Sequence, residues 1–246
     1  MLIRSFTRLF DIDETEMDAA RAVDYPSFNA FFTRELKPGA RPIDTDPHSI
    51  CSPADGTVQQ VGQVTDSRML QAKGMTFTAA ELLGAEPTDI EPFDGGAFMT
   101  IYLAPHNYHR VHAPLDGTLR RMHFMLGTRF SVNRVTADSI PGLFARNERV
   151  ACLFDGRHGP YWLVFVGAMN VASISTAWAG EILRSDEPLR KAYDAGTAPS
   201  FNKGECIGHF NLGSTVIIIF PRNVVTWDQP LEPLSTLTVG RRIGTL

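Results

Sequence analysis

The segment Pro53-Ala-Asp55-Gly56-Thr57-Val58 recurs later in the chain as Pro114-Leu-Asp116-Gly117-Thr118-Leu119. Each copy sets an Asp-Gly pair, a strong short-range hairpin signal, ahead of residues that feed a strand. A second echo pairs Lys203-Gly-Glu-Cys-Ile-Gly208 with Val239-Gly-Arg-Arg-Ile-Gly244. Asp-Gly turns are common, but two ordered echoes constrain the fold more than any composition figure. They predict an α+β, β-rich chain with a compact barrel-like or sandwich core and an internal pseudo-repeat. The run over 216–220 is β-branched until its aromatic end and stops at Pro221, so it reads as a buried strand of that core.

The N-terminal part differs. Leu2, Ile3, Phe6, Leu9 and Phe10 fall on one stripe of a short helix, with Arg4 and Arg8 on the other side. Such a stripe can dock on the protein's own core or lie on a bilayer, but it is too short to cross one. A second helix is expected around residues 28–36, followed by a Pro/Gly/Arg linker. This divides the chain into a helical segment over 1–45, able to contact a membrane, and a β-rich domain over 46–246.

Composition narrows the function classes. With 246 residues, 43% of them hydrophobic, the chain can bury one sizeable core. A net charge of -4 argues against nucleic acid as a partner and against adhesion to anionic lipid by charge alone. Cys51, Cys152 and Cys206 are odd in number, far apart and without a CxxC pair, which suits a reducing, intracellular setting. No long apolar run and no secretory signal are present in the sequence.

Three of the 7 histidines crowd into Pro105-His106-Asn-Tyr-His109-Arg-Val-His112-Ala-Pro114. In a helical turn their spacing would bring the imidazoles near one face; in an extended segment His109 and His112 would point apart. The segment lacks the i, i+4 pair and carboxylate of HExxH, so no metal site is expected. These histidines could equally cap turns and bond to backbone.

Gly213-Ser214-Thr215 is the other focus. It is not a GxSxG nucleophile elbow. A serine hydroxyl can, however, attack the carbonyl of its own preceding peptide, shifting amide to ester, and glycine leaves that carbonyl unshielded. A histidine would deprotonate the hydroxyl and a carboxylate would orient the histidine. Elimination from the ester then releases the upstream chain and leaves dehydroalanine, which hydrolyses to a pyruvoyl group.

Taken together, Tyr25-Pro-Ser-Phe-Asn-Ala-Phe-Phe-Thr-Arg34, Ser52-Pro-Ala-Asp55-Gly56, Leu70-Gln-Ala-Lys-Gly74, Tyr108-His-Arg-Val-His112, Phe130-Ser-Val-Asn133, Phe144-Ala-Arg-Asn-Glu-Arg149, Val166-Gly-Ala168 and Leu212-Gly-Ser-Thr215 resemble the phosphatidylserine decarboxylase family, in its bacterial membrane-associated branch. The resemblance covers nearly the whole chain. It implies self-cleavage between Gly213 and Ser214, with Asp55, His112 and Ser214 as the self-cleaving triad. It implies that His109 assists decarboxylation as an acid titrating near neutrality, and that a covalent pyruvoyl group made from Ser214 is the cofactor. The implied substrate is phosphatidylserine and the implied product phosphatidylethanolamine. Ser131, Asn133 and Arg146 are candidates for holding the substrate's carboxylate or phosphate. The implied partners are a membrane surface, the chain's own small fragment 214–246 and a second copy in a homo-oligomer, and the implied location is the cytoplasmic face of the cell membrane. The family usually carries a longer apolar, basic leader ahead of the position of Leu2. A serine hydrolase using the same three residues, or a lipid-surface scaffold without catalysis, remains open from the residues alone.

Overall fold

The structure is a computed structural model that describes residues 2–169, 173–183, 188–211, 214–228 and 231–246. Its centre is an open sheet that runs, edge to edge, through β12 (Leu189–Ala192), β7 (Gly117–Met125), β8 (Arg149–Gly156), β9 (Gly159–Gly167), β15 (Ser214–Ile219), β5 (Ala97–Leu103), β2 (Gly56–Gln63) and β17 (Thr236–Leu237), with β13 (Ser200–Phe201) also pairing β7. Every pairing in it is antiparallel. Two smaller sheets cover one face. One joins β1 (Ser49–Cys51), β18 (Arg242–Thr245) and β16 (Thr226–Trp227); the other joins β11 (Gly180–Ile182), β10 (Ile174–Thr176), β14 (Cys206–Phe210) and β6 (Arg110–His112). Of the barrel-like and sandwich alternatives, the chain takes the sandwich.

The other face of the large sheet packs against short helices α3 (Ala79–Leu83), α4 (Pro87–Ile90), α5 (Arg134–Ala137) and α6 (Leu143–Arg146), and a hairpin of β3 (Arg68–Ala72) and β4 (Met75–Thr78). Strand alternation builds both cores at once. On β15, Val216 and Ile218 enter the core under the small sheets, while Ile217 and Ile219 enter the core under the helices. All four are fully buried, as their unbroken β-branched run requires, and each contributes about 1.5–3 kcal/mol by leaving water. Ser214 begins this central strand.

The echoes are the marks of a pseudo-two-fold. Cys51 N–H donates to the Pro114 carbonyl (3.0 Å) and His112 N–H to the Pro53 carbonyl (2.8 Å). Gly204 N–H donates to Ala113, as Gly240 N–H does to Ser52. Both glycines have positive φ (86° and 82°) and both back onto Ile43, leaving no room for a Cβ. Neither Asp-Gly is a hairpin turn, however. Each links a strand of a small sheet to a strand of the large one, β1 to β2 and β6 to β7, which do not pair. Gly56 and Gly117 accordingly lack the positive φ that a tight hairpin turn demands.

At the N-terminus, α1 (Leu2–Phe10) turns Phe6 onto Phe28, Phe31 and Phe32 of the neighbourhood of α2 (Phe28–Phe32), and Ile3 joins the same small core. Leu2 and Leu9 point away, 64% and 76% exposed. The expected single stripe is therefore split between core and solvent. No helix among the described residues is long and apolar enough to cross a membrane.

Candidate active site

The site forms where β15, β5, β6 and β14 converge. Ser214 pairs with Leu103 on one side and Gly167 on the other. After Leu103 the chain loops through residues 104–109 into β6, and the His109 carbonyl accepts from Phe210 N–H (3.1 Å), just upstream of Ser214. Ser214 is fully buried and its Oγ has no hydrogen-bond partner, as is true of Thr215 Oγ1 beside it. A buried hydroxyl left without a partner costs about 1–3 kcal/mol. Gly213, the other half of the expected cleavage site, lies outside the described residues, as does Leu212.

The histidine segment is extended into β6, so the three imidazoles do not share a helical face. His106 is exposed. His109 is fully buried, its ring tilted against that of Phe32 with the centroids 4.0 Å apart. Its Nδ1–H donates to the Asn107 carbonyl (2.8 Å), which can only accept, so Nε2 carries the free lone pair; that atom is buried and unpartnered. Burial pushes His109 down to about 3, with the Arg34 guanidinium adding to the effect. His109 is thus neutral at physiological pH, not an acid titrating near neutrality, because the Asn107 bond offsets only part of the lost solvation.

His112 has the same tautomer by the same logic. Nδ1–H donates to the Gly204 carbonyl (2.7 Å), and Nε2 accepts from the Tyr108 hydroxyl (3.1 Å). Burial lowers its pKa, while the Gly204 bond and the charge of Asp55 act in the opposite direction. Asp55 does not orient His112 through a hydrogen bond. Its carboxylate accepts from Arg41 Nε (3.0 Å) and Nη2 (2.7 Å) and from Val239 N–H (2.8 Å). Arg41 also reaches Glu16 through Nη1 (2.8 Å) and Nη2 (2.9 Å), and these carboxylates raise its pKa against the effect of burial.

Arg41 is one residue that the sequence pattern did not single out, since it sits in a linker with no periodicity. Asn147 is another. Fully buried, it donates through Nδ2 to the Phe130 and Gly167 carbonyls (both 2.8 Å) and accepts from Phe130 N–H (3.1 Å). It thereby fastens the Phe130-Ser131-Val132-Asn133 loop to the residue that pairs with Ser214. Its place inside the Phe144–Arg149 block was the available signal.

The substrate-contact candidates separate. Ser131 is half-buried on that loop. Asn133 is the N-cap of α5, its side-chain oxygen accepting from Thr136 N–H (3.1 Å), which leaves its Nδ2 donors for an anion. Arg146 lays its guanidinium over the Phe130 ring at 5.3 Å. Among the described residues, no group of three or more His, Cys, Asp or Glu side chains is placed to hold a metal.

The family model for phosphatidylserine decarboxylase matches residues 28–245. A phosphatidylserine decarboxylase proenzyme of Stutzerimonas stutzeri is 50% identical over 245 residues, covering 98% of this chain and 82% of that protein. Proteins of the same description from Marinobacter nauticus and Azotobacter vinelandii are 46% and 48% identical over 246 residues, with 86% of each covered.

Proposed function

The chain belongs to the phosphatidylserine decarboxylase family, and from that premise we propose that it cuts itself between Gly213 and Ser214 and then converts phosphatidylserine to phosphatidylethanolamine. The observation that carries this reading is the fully buried, unpartnered Ser214 hydroxyl at the head of the central strand. As a permanent serine it is a cost to the fold; a pyruvoyl group at residue 214 has no hydroxyl to satisfy. The surroundings fit such a group, being dry and supplied with neutral histidines.

In maturation, His112 takes the Ser214 proton on Nε2, the nitrogen that its Gly204 bond leaves unprotonated. Tyr108 must first give up its hydrogen bond to that atom. Asp55 contributes by charge, favouring the proton on His112 from behind the Arg41 clamp. The Ser214 oxygen then bonds to the Gly213 carbonyl carbon as the peptide nitrogen leaves it. Elimination frees the Gly213 carboxylate, and hydrolysis of the residue left behind releases ammonia.

In turnover, the pyruvoyl ketone supplies an electron sink for the pair left when carbon dioxide departs. His109, neutral at its buried Nε2, acts as a base first. Once the substrate carboxylate beside it offsets the burial that lowers its pKa, it accepts a proton from the substrate ammonium and returns one to the carbon that lost the carboxylate, a role worth roughly 10²–10⁴-fold. Phe32 and the surrounding core keep water from competing at that atom.

The two histidines provide the test. His112→Ala should stay largely uncut, and Asp55→Ala should be cut to a lesser degree than the parent. His109→Ala should be cut but release carbon dioxide slowly. Phenylhydrazine, which captures ketones, should stop the parent's decarboxylation. Normal maturation of both histidine variants would contradict the assignment.

The enzyme is proposed to work as a peripheral protein on the cytoplasmic face of the membrane, with Leu2 and Leu9 in the lipid and Arg4 and Arg8 at headgroup level, all four exposed. The fragments 1–213 and 214–246 are proposed to stay associated through the pairing of β15 with β5 and β9, in a homo-oligomer that light scattering would reveal.

A further inference from the structure

A cavity of about 430 Å³ opens between β2, the end of β3, α5 and the turn at Pro233 and Leu234. Its floor includes Thr57 and Tyr102, which pair across β2 and β5; Tyr102 pairs in turn with Thr215 on β15. The cavity floor is therefore one strand from the residue that follows Ser214. The walls are fixed by side-chain amides, half-buried at Gln59 and buried at Gln71. Gln59 Nε2–H donates to the Val132 carbonyl (2.9 Å). Gln71 Nε2–H donates to the Ala137 (2.7 Å) and Ile140 (2.8 Å) carbonyls, and Gln71 Oε1 accepts from Leu143 N–H (2.9 Å).

The charges at this cavity are unbalanced. Lys73 and Arg134 line it against one carboxylate, Asp138, which lies 3.2 Å from Lys73 Nζ. Arg134 has no ion-pair partner among the described residues and is exposed, so its guanidinium is free to meet an anion. Leu234 flanks the cavity, 60% exposed and held at a φ of 83°, a conformation that leucine rarely adopts. A cation pair beside an exposed apolar side chain matches a glycerophospholipid, whose phosphodiester carries one negative charge next to acyl esters.

We infer that this cavity binds the phosphodiester and glycerol of the phospholipid substrate, with Arg134 and Lys73 on the phosphate and Leu234 against the first acyl carbons. The inference rests on the proposed function and specifies where its substrate sits. The serine amine and the phosphorus are separated only by the N–Cα–Cβ–O–P chain, so a phosphate beside Tyr102 leaves the amine to reach past Thr215. The reactive ketone carbon would be the former Cα of residue 214. That atom lies at the head of β15, one residue before Thr215, whose strand partner Tyr102 floors the cavity.

The test titrates the self-processed enzyme with dihexanoyl phosphatidylethanolamine, a soluble product that keeps the phosphodiester and is not turned over, by calorimetry. Inorganic phosphate is a second probe. Combined Arg134→Gln and Lys73→Gln should weaken lipid binding by roughly tenfold or more, as loss of charge-assisted bonds to an anion predicts. Arg134→Lys should restore part of that loss. For dihexanoyl phosphatidylserine the double variant should raise KM and leave kcat and self-cleavage near the parent's. Unchanged lipid affinity in the double variant would overturn the inference, as would inorganic phosphate displacing the lipid at equal concentration. A parent that neither cuts itself nor releases carbon dioxide would instead count against the proposed function, and the intact mass reads that separately.

Discussion

The two halves of the pseudo-repeat hold the same motif in opposite surroundings. Asp55 and Asp116 each accept the backbone N–H of the residue before a positive-φ glycine, Val239 at 2.8 Å and Lys203 at 2.7 Å. Asp55 is buried and clamped by Arg41, whereas Asp116 is exposed and has no basic side chain within ion-pair distance among the described residues. The histidines diverge likewise. The carbonyls of His109 and His48 accept matching bonds from Phe210 and Leu246, yet His109 is sealed under Phe32 and His48 lies in solvent. The repeat thus supplies a scaffold twice, and the N-terminal segment, through Arg41 and Phe32, buries and partners only the copy that holds the candidate site.

If that is right, the paired aspartates should differ most. Asp55→Ala leaves the half-buried Arg41 guanidinium without its closest partner, so urea unfolding should show a loss of about 3–5 kcal/mol. Asp116→Ala removes one exposed backbone contact and should cost about 1 kcal/mol or less. Equal losses would break the comparison.

The paired glycines should differ less. Ala at either position meets the penalty of positive φ, about 1–2 kcal/mol. At Gly204 the new Cβ meets only the Ile43 side chain, at 2.7 Å and beyond, whereas at Gly240 it also meets the Pro42 carbonyl oxygen at 2.5 Å. Backbone yields less readily than a side chain, so Gly240→Ala should lose roughly 1–3 kcal/mol more than Gly204→Ala by thermal unfolding.

Acid sharpens the contrast between the histidines. His109 titrates at about 3 when folded and near its ordinary value when unfolded, so the unfolded chain binds the extra proton between those limits. Its stabilising effect is fully present above about pH 6.5 and is lost as the pH falls toward 3, by about 1.4 kcal/mol per pH unit. His109→Gln should flatten the acid limb of a stability curve by that slope. The smallest effect is expected at the far N-terminus. Leu2→Ser with Leu9→Ser should lower co-sedimentation with phosphatidylserine vesicles and leave unfolding unchanged, because both side chains already face solvent. Phe6→Ser would confuse the result, since Phe6 packs against three other phenylalanines.

Much of the scaffold was legible from local pattern. The β-branched run at 216–220 could only be a buried strand, and the two echoes located the pseudo-symmetric strand starts. The Asp-Gly pairs misled on turn type, because strand pairing over long sequence distances sent their flanking strands into different sheets. Asp55, His109, His112 and Ser214 were singled out only by motif blocks and family resemblance, not by any local pattern. What made Asp55 unlike Asp116 was Arg41, a residue in a linker with no period to mark it. His109's burial was equally hidden, since Phe32 reaches it from an element far away in sequence. Asn133 shows a second role the motif hid: its side-chain oxygen caps α5, which leaves its amide N–H groups for an anion.

The account turns on residue 214, and the intact mass of the purified, denatured protein tests it most directly. Two species are predicted, residues 1–213 and residues 214–246, the smaller lighter by one ammonia than a peptide beginning with serine and lacking a sequenceable amino terminus. A single chain of full mass after prolonged incubation, with Ser214 unchanged, would contradict it.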